Sequence, residues 1–139
     1  MSTSAQLSLD NERHCSALLH QMYECVDGGR AEEALALFSP DAVFQTPLRV
    51  NRGTEEVRAA LEKRGAQHDR RTRHVVTNVR MWASDADEVQ LTGTLLLFVL
   101  SDPDPLVPSR IAQLQDTFVL RGGRWLIKSH GSTPLAERG

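Results

Sequence analysis

The chain has 139 residues, of which 40% are hydrophobic and 24% are charged, and its formal net charge is −2 at pH 7. This length and composition are typical of one globular domain with a single core. The small negative charge gives no electrostatic basis for binding nucleic acid or an anionic membrane, and no apolar run is long enough to cross a bilayer.

The N-terminal half of the chain has the residue spacing of helices. Apolar residues recur at helical intervals after Asp10 or Asn11, either of which can cap the first helix. Gly28 and Gly29 end that helix, because glycine accepts the left-handed backbone of a helix C-cap. We predict a flexible tail over residues 1–9. The predicted elements of this half are helices over about 10–26, 30–38 and 54–64 and a short strand over 42–46. A turn at Ser39-Pro40-Asp41 is expected between the second helix and the strand.

From Arg71 onward the apolar residues alternate with a period of two, which is typical of β-strands. Gly122 and Gly123 form a two-residue hairpin signal between the last two strands. The predicted strands cover about 72–83, 88–100, 110–121 and 124–130. Helices followed by consecutive antiparallel strands favour an α+β fold, and long strands must twist. We therefore predict a cone-shaped α+β barrel, with three N-terminal helices packed in a strongly curved, mainly antiparallel sheet. It forms one domain over 10–135, with a C-terminal tail over 136–139.

One predicted strand is apolar on both faces, as in strands that are buried on both sides. We expect one face to line the interior of the cone. The other face then buries against a second copy of the chain, giving a homodimer or trimer. The two faces consist of Leu95, Leu97 and Val99 and of Leu96, Phe98 and Leu100.

A short basic strand over 73–78 supplies the first candidate for chemistry. Strand side chains alternate, so His74 and Asn78 share one face. Asp27, at the end of the first helix, is the natural carboxylate to orient the His74 imidazole. A buried His–Asp pair can remove a proton from carbon or oxygen near neutral pH. The alternatives are an exposed strand histidine and an aspartate that caps nearby amides.

Three further side chains are candidates for contact with a substrate. Tyr23 lies four residues before Asp27 on the same helical stripe, and it is otherwise a core residue with its hydroxyl at the rim. Asn78 could hold a substrate carbonyl or bond the neighbouring backbone. His130 ends the last strand, where it reaches either the pocket or the surface. The alternating polar side chains over 113–117 are interpreted as a solvated surface or a wet dimer contact.

The two cysteines point to packing rather than to cross-linking. Cys15 and Cys25 are ten residues apart on one predicted helix, a rise of about 15 Å, which is beyond the reach of a disulfide. Without a Cys-x-x-Cys or His-x-x-x-His pattern we expect no metal site and no cofactor. The first residues carry no signal-peptide pattern, so we expect a cytoplasmic protein.

The order of these elements resembles a known family. The segments that carry the resemblance are Phe38-Ser39-Pro40-Asp41-Ala42, Arg73 to Asn78, and Gly122-Gly123-Arg124-Trp125. Together with the helices they are similar to the SnoaL-like branch of the nuclear transport factor 2-like superfamily, over nearly the whole chain. That resemblance implies the cone fold and a small-molecule ligand in an apolar pocket. It leaves the activity open, because the fold hosts dehydratases, isomerases, cyclases, hydrolases, oxygenase small subunits and non-catalytic proteins.

The His-x-x-Thr-Asn strand is similar to the dyad strand of hexachlorocyclohexane dehydrochlorinases and, more loosely, of scytalone dehydratases. The resemblance implies His74 as catalytic base and Asp27 as its partner. His130 stands near the place of a pocket arginine, so dehydrochlorination of that substrate is not implied. We predict a cofactor-independent lyase, dehydratase or isomerase acting on a small apolar or aromatic compound. The alternatives are a non-catalytic ligand-binding or assembly module and a polyketide-cyclase-like enzyme with a larger substrate.

Overall fold

The computed structural model describes residues 6–138. Residues 1–5 of the predicted N-terminal tail and residue 139 of the C-terminal tail lie outside the described residues. The helices are α1 (Leu9–Asp27), a 3₁₀ helix (Ala31–Leu37) and α2 (Gly53–Gly65). The strands are β1 (Phe38–Gln45), β2 (Val50–Arg52), β3 (Thr72–Asp85), β4 (Glu88–Val99), β5 (Arg110–Arg121) and β6 (Arg124–Glu137).

The strands form one mixed six-stranded sheet with the order β2-β1-β6-β5-β4-β3. Only the β1–β6 pair is parallel within the described part of the chain, and the other neighbours are antiparallel. A parallel pair needs a long crossover, and α2 with the long hairpins supplies it. The predicted α+β fold with helices against a mainly antiparallel sheet is confirmed. The sheet is open, because β2 and β3 form its two edges.

The helix starts differ from the sequence prediction. Ser8, rather than Asp10 or Asn11, caps α1, and its hydroxyl accepts the N–H of Asn11 at 3.1 Å. The middle helix is a 3₁₀ helix that buries Ala31 and Ala34. These two side chains are three residues apart and eclipse one another in a 3₁₀ helix, so one narrow face is enough to bury both.

Two strand boundaries also differ from the prediction, and β2 was not predicted. The expected turn at Ser39 to Asp41 is part of β1, where the register with β6 shifts between Phe38 and Val43. Such irregular positions are where a strand tolerates a proline. β2 has three residues, too few to show an alternation. β6 runs to Glu137, past the predicted end, because it stays paired with β5 as far as Arg110.

The core lies between the helices and the inner face of the sheet. Every second residue of β4 is buried, from Val89 to Val99, which confirms the inward face predicted for this strand. Cys15 and Cys25 are free and buried in the core, and burial raises the pKa of the Cys15 thiol to about 12. Among residues 6–138, neither α-helix has the length and apolar character needed to cross a lipid bilayer.

Candidate active site

A cavity of about 810 Å³ opens between α1, α2 and the inner face of the sheet. Its inner wall is largely apolar. Exposed charged side chains of α2, among them Glu55, Glu56 and Lys63, also line the cavity. Its buried or half-buried side chains with acid–base chemistry are Tyr23 from α1, His74 from β3 and His130 from β6. An apolar cavity with a few converging polar groups is the usual form of a small-molecule site. The apolar lining includes Met22, Val26, Phe44, Leu61, Leu95 and Leu97.

The end of α1 brings Asp27 to the start of β3, beside His74. The Nδ1 atom of His74 lies 2.6 Å from Oδ1 of Asp27, and the backbone N–H of His74 donates to Oδ2 at 2.9 Å. The Thr72 hydroxyl donates to Oδ1 at 2.8 Å. Because Asp27 bonds both the Nδ1 atom and the backbone N–H of His74, the orientation of the imidazole ring is fixed. The His74 side chain lines the cavity, with Asp27 behind it.

Asp27 is held in its ionised form. Burial by itself would raise the pKa of this carboxyl group, but hydrogen bonds and charge from His74, with the Thr72 hydroxyl, bring the pKa below its ordinary value. The Arg64 guanidinium donates to Thr72 Oγ1 at 2.9 Å and so fixes the hydroxyl. These donors offset the unfavourable position of a carboxylate at a helix C-terminus. At neutral pH an ionised Asp27 accepts the Nδ1 proton of His74.

Replacing Asp27 with asparagine is expected to lower the free energy of unfolding at pH 7. A hydrogen bond to a charged group contributes about 1.5–3 kcal/mol, and the carboxylate accepts three in the native state. Its native pKa is lowered, so this stability is present above the unfolded pKa of about 3.9. It is lost as the pH falls through the native pKa. Urea unfolding of both proteins at pH 7 and below pH 4 tests this. The difference in the free energy of unfolding between the two proteins should be smaller below pH 4 than at pH 7. A difference that does not change with pH would contradict the prediction.

Tyr23 lies between the two histidines of the cavity. Its ring stacks on the His74 ring, with centroids 4.4 Å apart and an interplanar angle of 15°. Its hydroxyl lies 3.4 Å from Nε2 of His130. Burial, followed by the charges of Asp116 and Asp27, raises the pKa of Tyr23 well above its ordinary value. The side chain is therefore a neutral phenol at neutral pH.

His130 is buried at the cavity wall and has its own carboxylate. Its Nδ1 lies 2.8 Å and 2.9 Å from the two oxygens of Asp116, which is the directly opposite residue in the β5–β6 register. The Phe44 ring stacks on the imidazole at 5.5 Å. The structure thus brings Tyr23, His74 and His130 to one cavity, with Asp27 and Asp116 behind the two imidazoles.

Asp116 is the site residue that sequence reasoning missed. Its side chain is 0% exposed, although aspartate is almost never fully buried without a partner. The signal was present in the alternation of β5, where Asp116 occupies the inward position between Leu114 and Phe118. The neighbouring residues Gln113 and Gln115 on the opposite face are also polar, so Asp116 does not stand out in the sequence.

The structure does not bring Asn78 to the cavity. This residue is exposed and has a φ of 55°, in the left-handed region that asparagine tolerates. The β3–β4 register shifts between Thr77 and Arg80. A bulge interrupts strand alternation, so the predicted common face of His74 and Asn78 does not extend past Thr77.

Metal ions such as zinc are bound in proteins by clusters of His, Cys, Asp and Glu side chains. Within the described residues, no group of three or more His, Cys, Asp or Glu side chains could hold a metal ion. The two imidazoles each bond a carboxylate through Nδ1, so their hydrogen-bonding is that of acid–base pairs.

Solved structures share this fold at low sequence identity. A protein of unknown function with a cystatin-like fold from Nostoc punctiforme has a TM-score of 0.80 and 20% identity, covering 94% of this chain and 95% of that one. A Catenulispora acidiphila protein in complex with S-DNPA has a TM-score of 0.77 and 22% identity, covering 91% and 95%. A candidate scytalone dehydratase from Novosphingobium aromaticivorans has a TM-score of 0.75 and 19% identity, covering 92% and 86%.

Sequence comparison gives the family directly. No curated protein matches the chain. The family model described as the SnoaL-like domain matches residues 8–130, which span both α-helices, the 3₁₀ helix and the first five strands, with part of β6. The chain therefore belongs to the SnoaL-like family, within the nuclear transport factor 2-like superfamily that its sequence resembles.

Proposed function

We propose that this protein is a cofactor-independent lyase or isomerase in which His74 acts as the general base. The observation that carries the proposal is the His74 ring, held at Nδ1 by an ionised carboxylate at 2.6 Å and lining an 810 Å³ cavity. With Nδ1–H donated to Asp27, the lone pair for a substrate proton is on Nε2. This is the arrangement that general-base catalysis requires.

The reaction begins at a carbon next to an electron-withdrawing group such as a carbonyl. His74 Nε2 takes the proton, the C–H bond breaks, and its electron pair moves into a new double bond. In an elimination a leaving group departs from the adjacent carbon, and in an isomerisation the proton returns to another carbon. Asp27 stays ionised throughout and neutralises the imidazolium that forms on His74.

The cavity supports a small apolar or aromatic substrate. Small-molecule sites occupy about 300–1,000 Å³, and 810 Å³ lies in the upper part of that range. The candidate scytalone dehydratase of the same fold supports a dehydratase, and the S-DNPA complex supports a small ligand. The volume also favours a second candidate, a polyketide-cyclase-like enzyme with a larger ring system. The exposure of His74 to the cavity argues against a purely structural assembly module.

Solvent-deuterium exchange tests the proposal without knowledge of the substrate. Small aryl ketones and hydroxylated aromatic ketones are incubated with the protein in D₂O, and loss of the proton next to the carbonyl is followed by NMR. We expect exchange above the buffer rate with the wild type and not with His74→Ala. Exchange that is equal in the two proteins would refute the base assignment. His20→Ala is the matched control, because His20 is an exposed histidine of α1.

We further propose that copies of the chain associate, as a dimer or trimer, through the outer face of β3 and β4. Val75 is 38% exposed and lies opposite Leu96, which in turn lies opposite Ile111. These side chains form an apolar strip across three strands. Leu96→Asp is expected to reduce the mass in sedimentation equilibrium to that of a monomer, whereas Gln21→Asp on exposed α1 leaves it unchanged. A wild type that is monomeric at high concentration would contradict this.

A further inference from the structure

The cavity holds two imidazole–carboxylate pairs that differ in how their negative charge is stabilised. Asp27 accepts hydrogen bonds from a hydroxyl and a backbone N–H in addition to His74. In the described part of the chain, both hydrogen bonds that the Asp116 side chain accepts come from His130. The Asp116 side chain is 0% exposed and the Asp27 side chain is 8% exposed. Of these two carboxylates, Asp116 is the one whose negative charge is stabilised by hydrogen bonds from its histidine alone.

This difference predicts a proton on Nε2 of one ring and none on Nε2 of the other. Burying a net charge is costly unless it is paired, so burial favours a neutral Asp116–His130 pair. In either neutral arrangement, a carboxylate with an imidazolium or a carboxylic acid with an imidazole, His130 carries a proton on Nε2. Asp27 needs no second proton on His74, because its other donors stabilise the carboxylate. His74 Nε2 is then free to accept a proton.

The proton on His130 points towards the Tyr23 hydroxyl. Nε2 lies 3.4 Å from that oxygen, and hydrogen bonds of unliganded catalytic sites are often long. If Nε2–H donates to Tyr23, the phenol proton is free to donate into the cavity. The raised pKa of Tyr23 keeps the phenol protonated for this role. The same Tyr23 ring stacks on His74, and both side chains line the cavity, so one ligand can contact the Tyr23 hydroxyl and the His74 imidazole.

We propose that Asp116, His130 and Tyr23 form the acid half of this site and donate a proton to an oxygen of the substrate. The ligand class is a compound whose oxygen becomes negative during the reaction, such as a ketone that passes through an enolate. The inference rests on the proposed function for its catalytic meaning, but its protonation pattern and its ligand preference are measurable without turnover. Asp116 acts through His130 and is a positioning residue.

Three proton transfers link the two halves of the site in the proposed step. His74 Nε2 gains the carbon proton as the C–H bond breaks, and the electron pair forms a C=C bond while the carbonyl electrons move to oxygen. That oxygen takes the proton of the Tyr23 hydroxyl, and Tyr23 regains one from His130 Nε2. The product of the step is an enol, with a protonated His74 beside Asp27 and a His130–Asp116 pair that has lost one proton. Reversal at another carbon completes an isomerisation.

Histidine NMR tests the protonation pattern directly. In protein labelled with ¹⁵N in histidine, long-range ¹H–¹⁵N spectra at pH 7 show which ring nitrogens carry protons. We expect Nε2 of His130 to be protonated and Nε2 of His74 to be bare. Signals are assigned by their loss in His130→Gln and His74→Gln, with His20→Gln as the control. A bare Nε2 on His130 would overturn the proposal, whatever the exchange assay shows for His74.

A phenol probe tests the acid role, because a phenolate resembles an enolate in charge and shape. Binding of 4-nitrophenol is followed by its absorbance. A hydrogen bond to a charged group corresponds to about a 10- to 100-fold change in Kd. We expect that weakening in His130→Gln and Tyr23→Phe, a comparable one in the isosteric Asp116→Asn, and none in His20→Gln. Unchanged affinity in His130→Gln, or a wild type that does not bind the probe, would overturn the proposal. Circular dichroism confirms that each variant is folded.

Discussion

His74→Ala is expected to lower the turnover of any substrate found by the exchange assay by about 10²- to 10⁴-fold, the usual contribution of a general base. The fold should survive, since His74 lies at the cavity wall rather than in the apolar core, and its side chain is 14% exposed. The thermal midpoint and circular dichroism spectrum of the variant report on the fold, and the rate constant reports on the chemistry.

The partner variant Asp27→Asn tests whether the two residues act as a unit. An asparagine side chain can donate to Nδ1 and so place the ring proton on Nε2, the wrong nitrogen for a base. Residues that act together show strongly non-additive effects. We therefore expect the double variant Asp27→Asn/His74→Ala to be no slower than His74→Ala alone. If the rate losses of the two single variants multiply in the double variant, Asp27 acts independently of His74. That result would contradict the proposed dyad.

Phe118→Ala is expected to lower the free energy of unfolding by about 3–5 kcal/mol. The Phe118 side chain is 0% exposed on the inner face of β5, in the core cluster that contains Leu19 and Leu114. Removing the ring leaves a cavity that the surrounding core residues can fill only in part. The loss is measured as a lower midpoint of urea unfolding at unchanged slope.

The matched control for Phe118 is Gln113→Ala on the same strand. Gln113 is exposed on the opposite face, and surface substitutions usually change stability by less than about 0.5 kcal/mol. Equal losses in the two variants would mean that the inner face of β5 is not the core. A loss of stability confined to Phe118→Ala would show that this face of β5 is buried. Asp116, two residues earlier, lies on the same face.

Local patterns were sufficient for most of the fold. The period of two after Arg71 placed three strands to within two residues and also the start of the fourth, because alternation over a dozen residues is a strong signal. The short elements were harder. β2 has three residues, and Pro40 lies in β1 where a turn was expected. β1 pairs with β6, which is distant in the sequence, and β2 is defined by its pairing with β1. A local pattern of residues records neither contact.

The sequence by itself determined the α+β class, the inward face of β4 and the pairing of Asp27 with His74. Helix and strand periodicity decide which side chains face the core, and the resemblance to a known family supplied the residue pair. Only the tertiary structure decided the other half of the site. Asp116 and His130 meet because β5 and β6 are in one register, and Asn78 is displaced because β3 is bulged there. Register and bulges arise from contacts between strands and not from local residue patterns. The pairing of Asp116 with His130 is therefore evident only in the tertiary structure.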